Sequence, residues 1–279
     1  MTLDLIRLRF HFRAAGSLYF PPGKAGNTLR GAFGIMLRET AGTGEYASIF
    51  EPKAGAGPSG LADSPRPFVI RAAHLDGQTI PVGAGFHFDV HVFDLTAGRR
   101  PLIVAAFARL GEAGLAPERT RAELLWVDEE EVAITLDVPP EPASRIRVEF
   151  LTPTELKSGQ QLVTRPEFPI LFARLRDRIS TLRTLYGPGP LDIDFHAMGE
   201  RAARVTLTCC DLSWHSAQRR SSRTGQTHPI GGFTGQAEYQ AEYDGDLGEF
   251  LPYLRAGQWT GVGRQTVWGK GEICFQLCS

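Results

Sequence analysis

Lysine is scarce in this chain of 279 residues. Four lysines stand beside 26 arginines, and 31 acidic residues bring the formal net charge to −1. A global positive field is therefore excluded, which counts against a protein held to nucleic acid by bulk charge, although local patches could still serve. Arginine suits bidentate contacts with phosphates and bases; a biased genome accounts for the same usage equally well. Cysteine is scarce too, with four in all. Cys209 and Cys210 are adjacent and would point to opposite faces of a strand. Cys274 and Cys278 would share a face at roughly 13 Å, too far for a disulfide or a common zinc. All four read as reduced and mostly packed. Long apolar runs are missing: the longest, Leu102 to Ala108, is too short to span a bilayer. The first ten residues carry charges inside their apolar stretch and make no signal peptide. A cytoplasmic protein without a membrane partner is the expectation. Established enzyme signatures are absent as well: no Gly-x-Ser-x-Gly, no phosphate loop ending Gly-Lys-Ser/Thr, no His-Glu-x-x-His. No metal site and no cofactor is expected.

The hydrophobic fraction of 42% suffices for real cores, and the length exceeds the usual domain of about 100–150 residues, so two domains are expected. Leu3 to Arg13 alternates Ile6, Leu8, Phe10 and Phe12 with Arg7, Arg9, His11 and Arg13, a strand with one apolar and one basic face. Asn27 would cap a helix whose Leu29, Ala32, Phe33, Met36 and Leu37 recur at helical spacing to Thr40. Residues 51–66, rich in Gly, Pro, Ala and Ser, read as a long loop. Strands follow at Phe68 to His74 and Phe86 to Leu95. In the latter, His87-x-Asp89-x-His91 suits a polar strand face better than a metal site, because residues two apart on a strand are about 6.6 Å apart. Arg100 to Gly111 is helical, and Arg121–Val127 and Val132–Val138 read as a hairpin around Asp128-Glu-Glu130. Pro139-Pro-Glu-Pro142 breaks the chain. Beyond it come a strand at Arg145–Leu151, a helix at Pro169–Tyr186, strands at Arg204–Leu212 and Gly235–Tyr243, a short helix at Asp246–Leu254 and a last strand at Glu272–Leu277. Both halves read β-α-β-β-α-β, which predicts an α+β fold of tandem ferredoxin-like domains at 1–138 and 145–279, joined by a proline-rich linker at 139–144. RNA-recognition modules share this architecture with many unrelated proteins.

Two stretches suggest anion or RNA contact. Gly261-Val-Gly-Arg-Gln-Thr-Val-Trp-Gly-Lys-Gly271 carries two Gly-x-Gly pairs with Arg264, Trp268 and Lys270 among them. Exposed amides in such a loop can cradle an anion, with cations and a stacking face beside them; a tight turn before the last strand is the plainer reading. His215 to His228 holds Arg219, Arg220 and Arg223, no acidic residue and many hydroxyls, all suited to phosphate or 2′-hydroxyl contact. A disordered polar loop fits the same composition.

The glycine stretch, preceded by Leu251-Pro-Tyr-Leu-Arg255 and Gly231-Gly-Phe-Thr-Gly235, resembles the end of the CRISPR-associated endoribonucleases that process repeat RNA, within the repeat-associated RNA-binding (RAMP) superfamily. Leu29-Arg-Gly-Ala-Phe-Gly-Ile-Met-Leu-Arg38 resembles that family's first helix. The resemblance implies binding of CRISPR repeat RNA, association with other CRISPR-associated proteins, and cleavage without metal through the RNA's own 2′-hydroxyl, leaving a 2′,3′-cyclic phosphate. It implies an RNA surface of Gly261, Gly263, Arg264, Gly269, Lys270, Gly271, Arg219, Arg220, Arg223, Arg30 and Arg38. Relatives use a histidine on the first helix, a preceding tyrosine and a nearby lysine. Tyr19 and Lys24 match the last two, but this helix has no histidine, and Ile35 or a neighbour takes that position. Cysteines that follow this helix in many relatives are missing from Glu39–Glu51. His228, or His215, could move the proton instead. A non-catalytic RAMP subunit of a CRISPR effector complex is the alternative, and a ferredoxin-like small-anion-binding protein a second.

Overall fold

The computed structural model describes residues 1–52, 64–115, 118–216, 218–220, 227–229, 231–243 and 245–278. Strand β1 (Thr2–Ala14) follows from its alternation: Leu8, Phe10 and Phe12 are fully buried on one face, while Arg7, Arg9 and His11 stay partly open on the other. Helices α1 (Ala25–Thr40) and α2 (Thr43–Phe50) come next. Then follow β2 (Phe68–Arg71), β3 (Gly85–Val92), α3 (Arg99–Ala113) and β4 (Ala122–Thr135). The four strands form one antiparallel sheet in the order β2-β3-β1-β4. Helices α1 and α3 cover one face; Phe33 and Phe107 stack at 4.6 Å and 6°, and Phe107 meets Phe10 at 4.7 Å. Each such buried ring contributes about 1.5–3 kcal/mol.

The second half repeats the plan. It comprises β5 (Arg145–Thr154), α4 (Phe168–Tyr186), α5 (Phe195–Ala202), β6 (Thr206–His215), the short β7 (Gln218–Arg220) and β8 (Thr227–Pro229), β9 (Gly232–Gln240), α6 (Leu251–Thr260) and β10 (Ile273–Leu277). Its sheet order is β6-β9-β5-β10, with β7 and β8 a separate ribbon. Both halves thus carry the ferredoxin-like strand arrangement. The second core gathers Ile146, Val148 and Phe150 of β5, Phe168 and Phe172 of α4, Tyr239 of β9, and Phe250 and Tyr253 beside α6.

Several elements depart from the sequence reading. Residues 121–138 form no hairpin: β4 runs unbroken through Asp128-Glu-Glu130. The cations of β1 hold it there, since Arg9 is opposite Asp128 and Arg7 opposite Glu130. Arg7 Nη2 lies 2.8 Å from Glu130, His11 Nε2 2.8 Å from Asp128, and Arg100 reaches Glu129 at 2.7 Å. The basic face of β1 is thereby largely neutralised within the sheet. Helix α1 begins before Asn27, with Lys24 at its cap position. The helix expected at 246–254 starts instead at Leu251, where Pro252 suits a first turn, and a 3-10 turn occupies Gly248–Phe250. Cys209 and Cys210 are exposed rather than packed, because β6 is an edge strand. Most of the long loop expected at 51–66 lies outside the described residues. No helix among the described residues is long and apolar enough to cross a membrane.

The halves are joined through the outer face of the first sheet. There Leu5, Val69 and Phe93 bury against Leu182 of α4, with Tyr186 and Trp259 packed alongside. The last carbonyls of α6 point at this seam. Arg71 Nη2 donates to those of Gln258 (3.2 Å) and Trp259 (3.3 Å), His91 Nδ1 to Trp259 (2.9 Å), and Arg178 Nε to Thr260 (2.9 Å). Donors and cations at a helix C-terminus satisfy its free carbonyls and oppose its dipole. Burial pushes the Arg178 guanidinium down to about 9, with Arg71 adding repulsion. Burial, then the Arg71 charge, drives His91 down to about 3, so it is neutral here.

Candidate nucleic-acid interface

The glycine stretch after α6 is a packed junction. Its four paired glycines all have positive φ, between 69° and 80°, where other residues are strained. A Cβ on Gly263 would run into the carbonyl of Glu155, and one on Gly271 into that of Val262. Gly269 packs on the first turn of α1: a Cβ on Gly26 would lie 3.1 Å from its Cα. The amides are largely engaged internally. Gly261 donates to Gly257 (2.8 Å), Val262 to Gly271 (2.8 Å), Arg264 to Glu155 (3.0 Å), Trp268 to Gln265 (2.9 Å), Gly269 to Thr266 (3.1 Å) and Gly271 to Pro153 (3.3 Å). The open ribbon of amides suggested by the sequence is therefore corrected to a loop keyed between β5 and α1.

Two of the expected RNA-contacting cations are buried by this arrangement. Arg30 is 7% exposed, with its guanidinium 4.3 Å from the Phe50 ring centre and 5.8 Å from Trp268. Lys270 is 4% exposed, and its Nζ donates to the Gly23 carbonyl at 3.2 Å. Gly23 belongs to the turn that enters α1. Asp76, a residue the sequence reading missed, closes the same turn by accepting the Ala25 amide at 2.8 Å. Burial raises the Asp76 carboxyl and lowers the Lys270 ammonium, while their opposite charges partly offset both shifts. Lys24, at the cap position, has no side-chain acceptor of its own to offer, which leaves that part to Asp76.

What this junction leaves accessible lies at the start and along the outer face of α1. Lys24 is exposed at the helix entry. Tyr19 is 39% exposed on a two-residue strand, Leu18–Tyr19, paired with Thr79–Ile80. Arg38 is exposed with its guanidinium 5.6 Å from the Tyr46 ring centre. Arg264 projects from the glycine loop, its side chain 53% exposed, and pairs with the buried Glu155. Ile35, 57% exposed, stands between Gly31 and Arg38 on the helix's open side.

Two family models match the chain. Residues 3–139 match the N-terminal domain model AF_1859_N, and residues 148–273, glycine loop included, match the CRISPR-associated endoribonuclease Cas6. Over residues 148–273 the chain is thus similar to the Cas6 endoribonucleases. Solved structures agree in fold. A Cas6 product complex superposes with a TM-score of 0.64 at 17% identity, over 98% of this chain and 100% of that one. Thermus thermophilus Cas6 gives 0.59 at 15% identity, over 99% of each. A chain of a partial Cas6-RT-Cas1–Cas2 complex gives 0.61 at 14% identity, over 99% of this chain and 46% of that one. No curated protein matches.

The arginine stretch forms the β7–β8 ribbon between β6 and β9. Its register sets Arg219 opposite His228 and Arg220 opposite Thr227. Arg223 lies outside the described residues. His215, at the end of β6, contacts Thr234 Oγ1 at 2.6 Å. In the His-x-Asp-x-His stretch, Asp89 takes a bidentate pair with Arg9 (2.7 and 2.9 Å) and His91 serves the seam.

Proposed function

We propose that this chain binds CRISPR repeat RNA across the start of α1, the open edge of the glycine loop and the β7–β8 ribbon, and cleaves it through the 2′-hydroxyl beside the scissile phosphate. The match of residues 148–273 to an endoribonuclease family is the observation that carries this reading; the exposed Tyr19 and Lys24, which precede the turn of α1 where Gly26 packs on Gly269, support it. In this mechanism the protein holds the 2′-oxygen in line with the leaving 5′-oxygen. His228 takes the 2′-hydroxyl proton and Tyr19 gives one to the leaving group. Lys24 and Arg264 stabilise the extra charge on phosphorus. The products are a 2′,3′-cyclic phosphate and a 5′-hydroxyl, and no metal ion takes part. The chain works in the cytoplasm with other CRISPR-associated proteins; its likeness to a chain of a Cas6-RT-Cas1–Cas2 complex supports such partners.

A second reading is that the chain holds processed RNA without cutting it. One observation favours it: the open face of α1 presents Thr28, Gly31, Ile35 and Arg38 and no imidazole. Labelled repeat RNA incubated with the protein in EDTA separates the two. Cleavage to cyclic-phosphate ends, lost in His228→Ala, is the expected result. Tight binding of RNA that stays intact assigns the holding role, and cleavage at the wild-type rate by His228→Ala removes His228 from the mechanism.

A further inference from the structure

A row of rings crosses the end of the first sheet that the second half leaves uncovered. Trp126 on β4 is opposite His11 on β1, and His11 is opposite His87 on β3. His74, from the turn Ala73–Leu75, closes on His87. Successive ring centres are 4.4, 5.8 and 4.7 Å apart, with planes 16°, 29° and 26° from parallel. The row is stacked, and it lies on the face of the sheet away from the helix-covered core. Its members are fixed: His11 is held by Asp128 at 2.8 Å, and His74 Nε2 donates to the His87 carbonyl at 2.9 Å. Trp126 ends the row on an edge strand, 52% exposed. At the other end, His74 stands close enough to Asp76 to affect its ionisation, and Asp76 caps the entry to α1. The row therefore leads from the candidate interface across the sheet to its open edge. Beside it Arg13 is half-exposed, with only a loose 3.8 Å approach to Glu123.

We propose that this row is a stacking site for unpaired bases of an RNA strand, with Trp126 as its outer platform and Arg13 facing the phosphates. The inference rests on the RNA-binding reading above and adds a second contact surface to it. Stacking suits single strands because every base offers a π-face. Rings already ordered by their neighbours lose little freedom when a base joins them.

The test compares a short oligoadenylate with a repeat hairpin lacking single-stranded ends, each titrated across a salt series. Trp126→Ala is expected to weaken oligoadenylate binding by about 5- to 150-fold, the range for loss of one base–aromatic stack. The loss should be equal at every salt concentration, since no phosphate contact is removed. Trp126→Phe should recover most of it, and hairpin affinity should not change. An unaltered melting temperature establishes that the exposed site tolerates both substitutions. Oligoadenylate binding by Trp126→Ala at the wild-type level overturns the proposal, as does a wild-type protein that binds the hairpin but not oligoadenylate. Failure of the wild-type protein to bind either RNA removes the RNA-binding reading as well.

Discussion

Replacing Gly271 by alanine tests whether the glycine loop is a packed junction. Gly271 has a φ of +69°, and Gly83, in the turn before β3, has one of +78°. Alanine in that region costs about 1–2 kcal/mol at either position. The surroundings differ: a Cβ on Gly83 meets nothing within 4 Å, whereas one on Gly271 is driven into the Val262 carbonyl. Backbone cannot swing aside as a side chain can, so overpacking should add roughly 1–3 kcal/mol. Gly271→Ala should therefore destabilise by about 2–5 kcal/mol in total, and Gly83→Ala by less than half of that. Urea unfolding reads both as a shift in midpoint at constant slope. If the two substitutions cost the same, and only Gly271→Ala loses RNA affinity, the loop is an open cradle and the packing argument fails.

Two further outcomes follow from the titrations. His91 is held at about 3, below its ordinary value of 6.5, so the unfolded chain takes up a proton that the folded one refuses. Its contribution is fully present above about pH 6.5 and is lost as pH falls toward 3, at about 1.4 kcal/mol per pH unit. His91→Gln, which can still donate to Trp259, should flatten the stability profile across that window; an unchanged slope would assign the acid sensitivity elsewhere. Burial, then the neighbouring Glu149 carboxylate, pushes the Cys274 thiol up to about 11. Mass-resolved labelling at pH 8 should modify the exposed Cys209 well before Cys274, and Glu149→Gln should quicken Cys274; equal rates in both proteins would discount the carboxylate.

Much of the architecture was legible because its signals are local. The alternation of β1 and the helical spacing of Leu171, Phe172, Leu175, Ile179 and Leu182 were enough to place a strand and a helix. Where the reading failed, the deciding partner lay far along the chain. Asp128-Glu-Glu130 looks like a turn in isolation, yet Arg7, Arg9 and His11 make those charges the natural edge of a sheet. The entry to α1 is fixed by Asp76, fifty-one residues away, and by Lys270 near the other end of the chain. The ring row was hidden likewise, since Trp126, His11, His87 and His74 share no sequence neighbourhood.

The glycine loop shows how such evidence divides. Its glycines announce that side chains are excluded and that left-handed backbone is required, and both hold at Gly261, Gly263, Gly269 and Gly271. What they cannot announce is the identity of the close neighbour. An anion and a polypeptide backbone make the same demand, because each needs the space a Cβ would occupy. In the folded chain the neighbours are the backbones of Glu155, Val262 and Gly26. That packing does not compete with the RNA role proposed above. By locking the loop to the first turn of α1, the glycines fix Arg264 on one side of the junction and Lys24 on the other, so two cations carried by different halves of the chain are held by a single rigid contact.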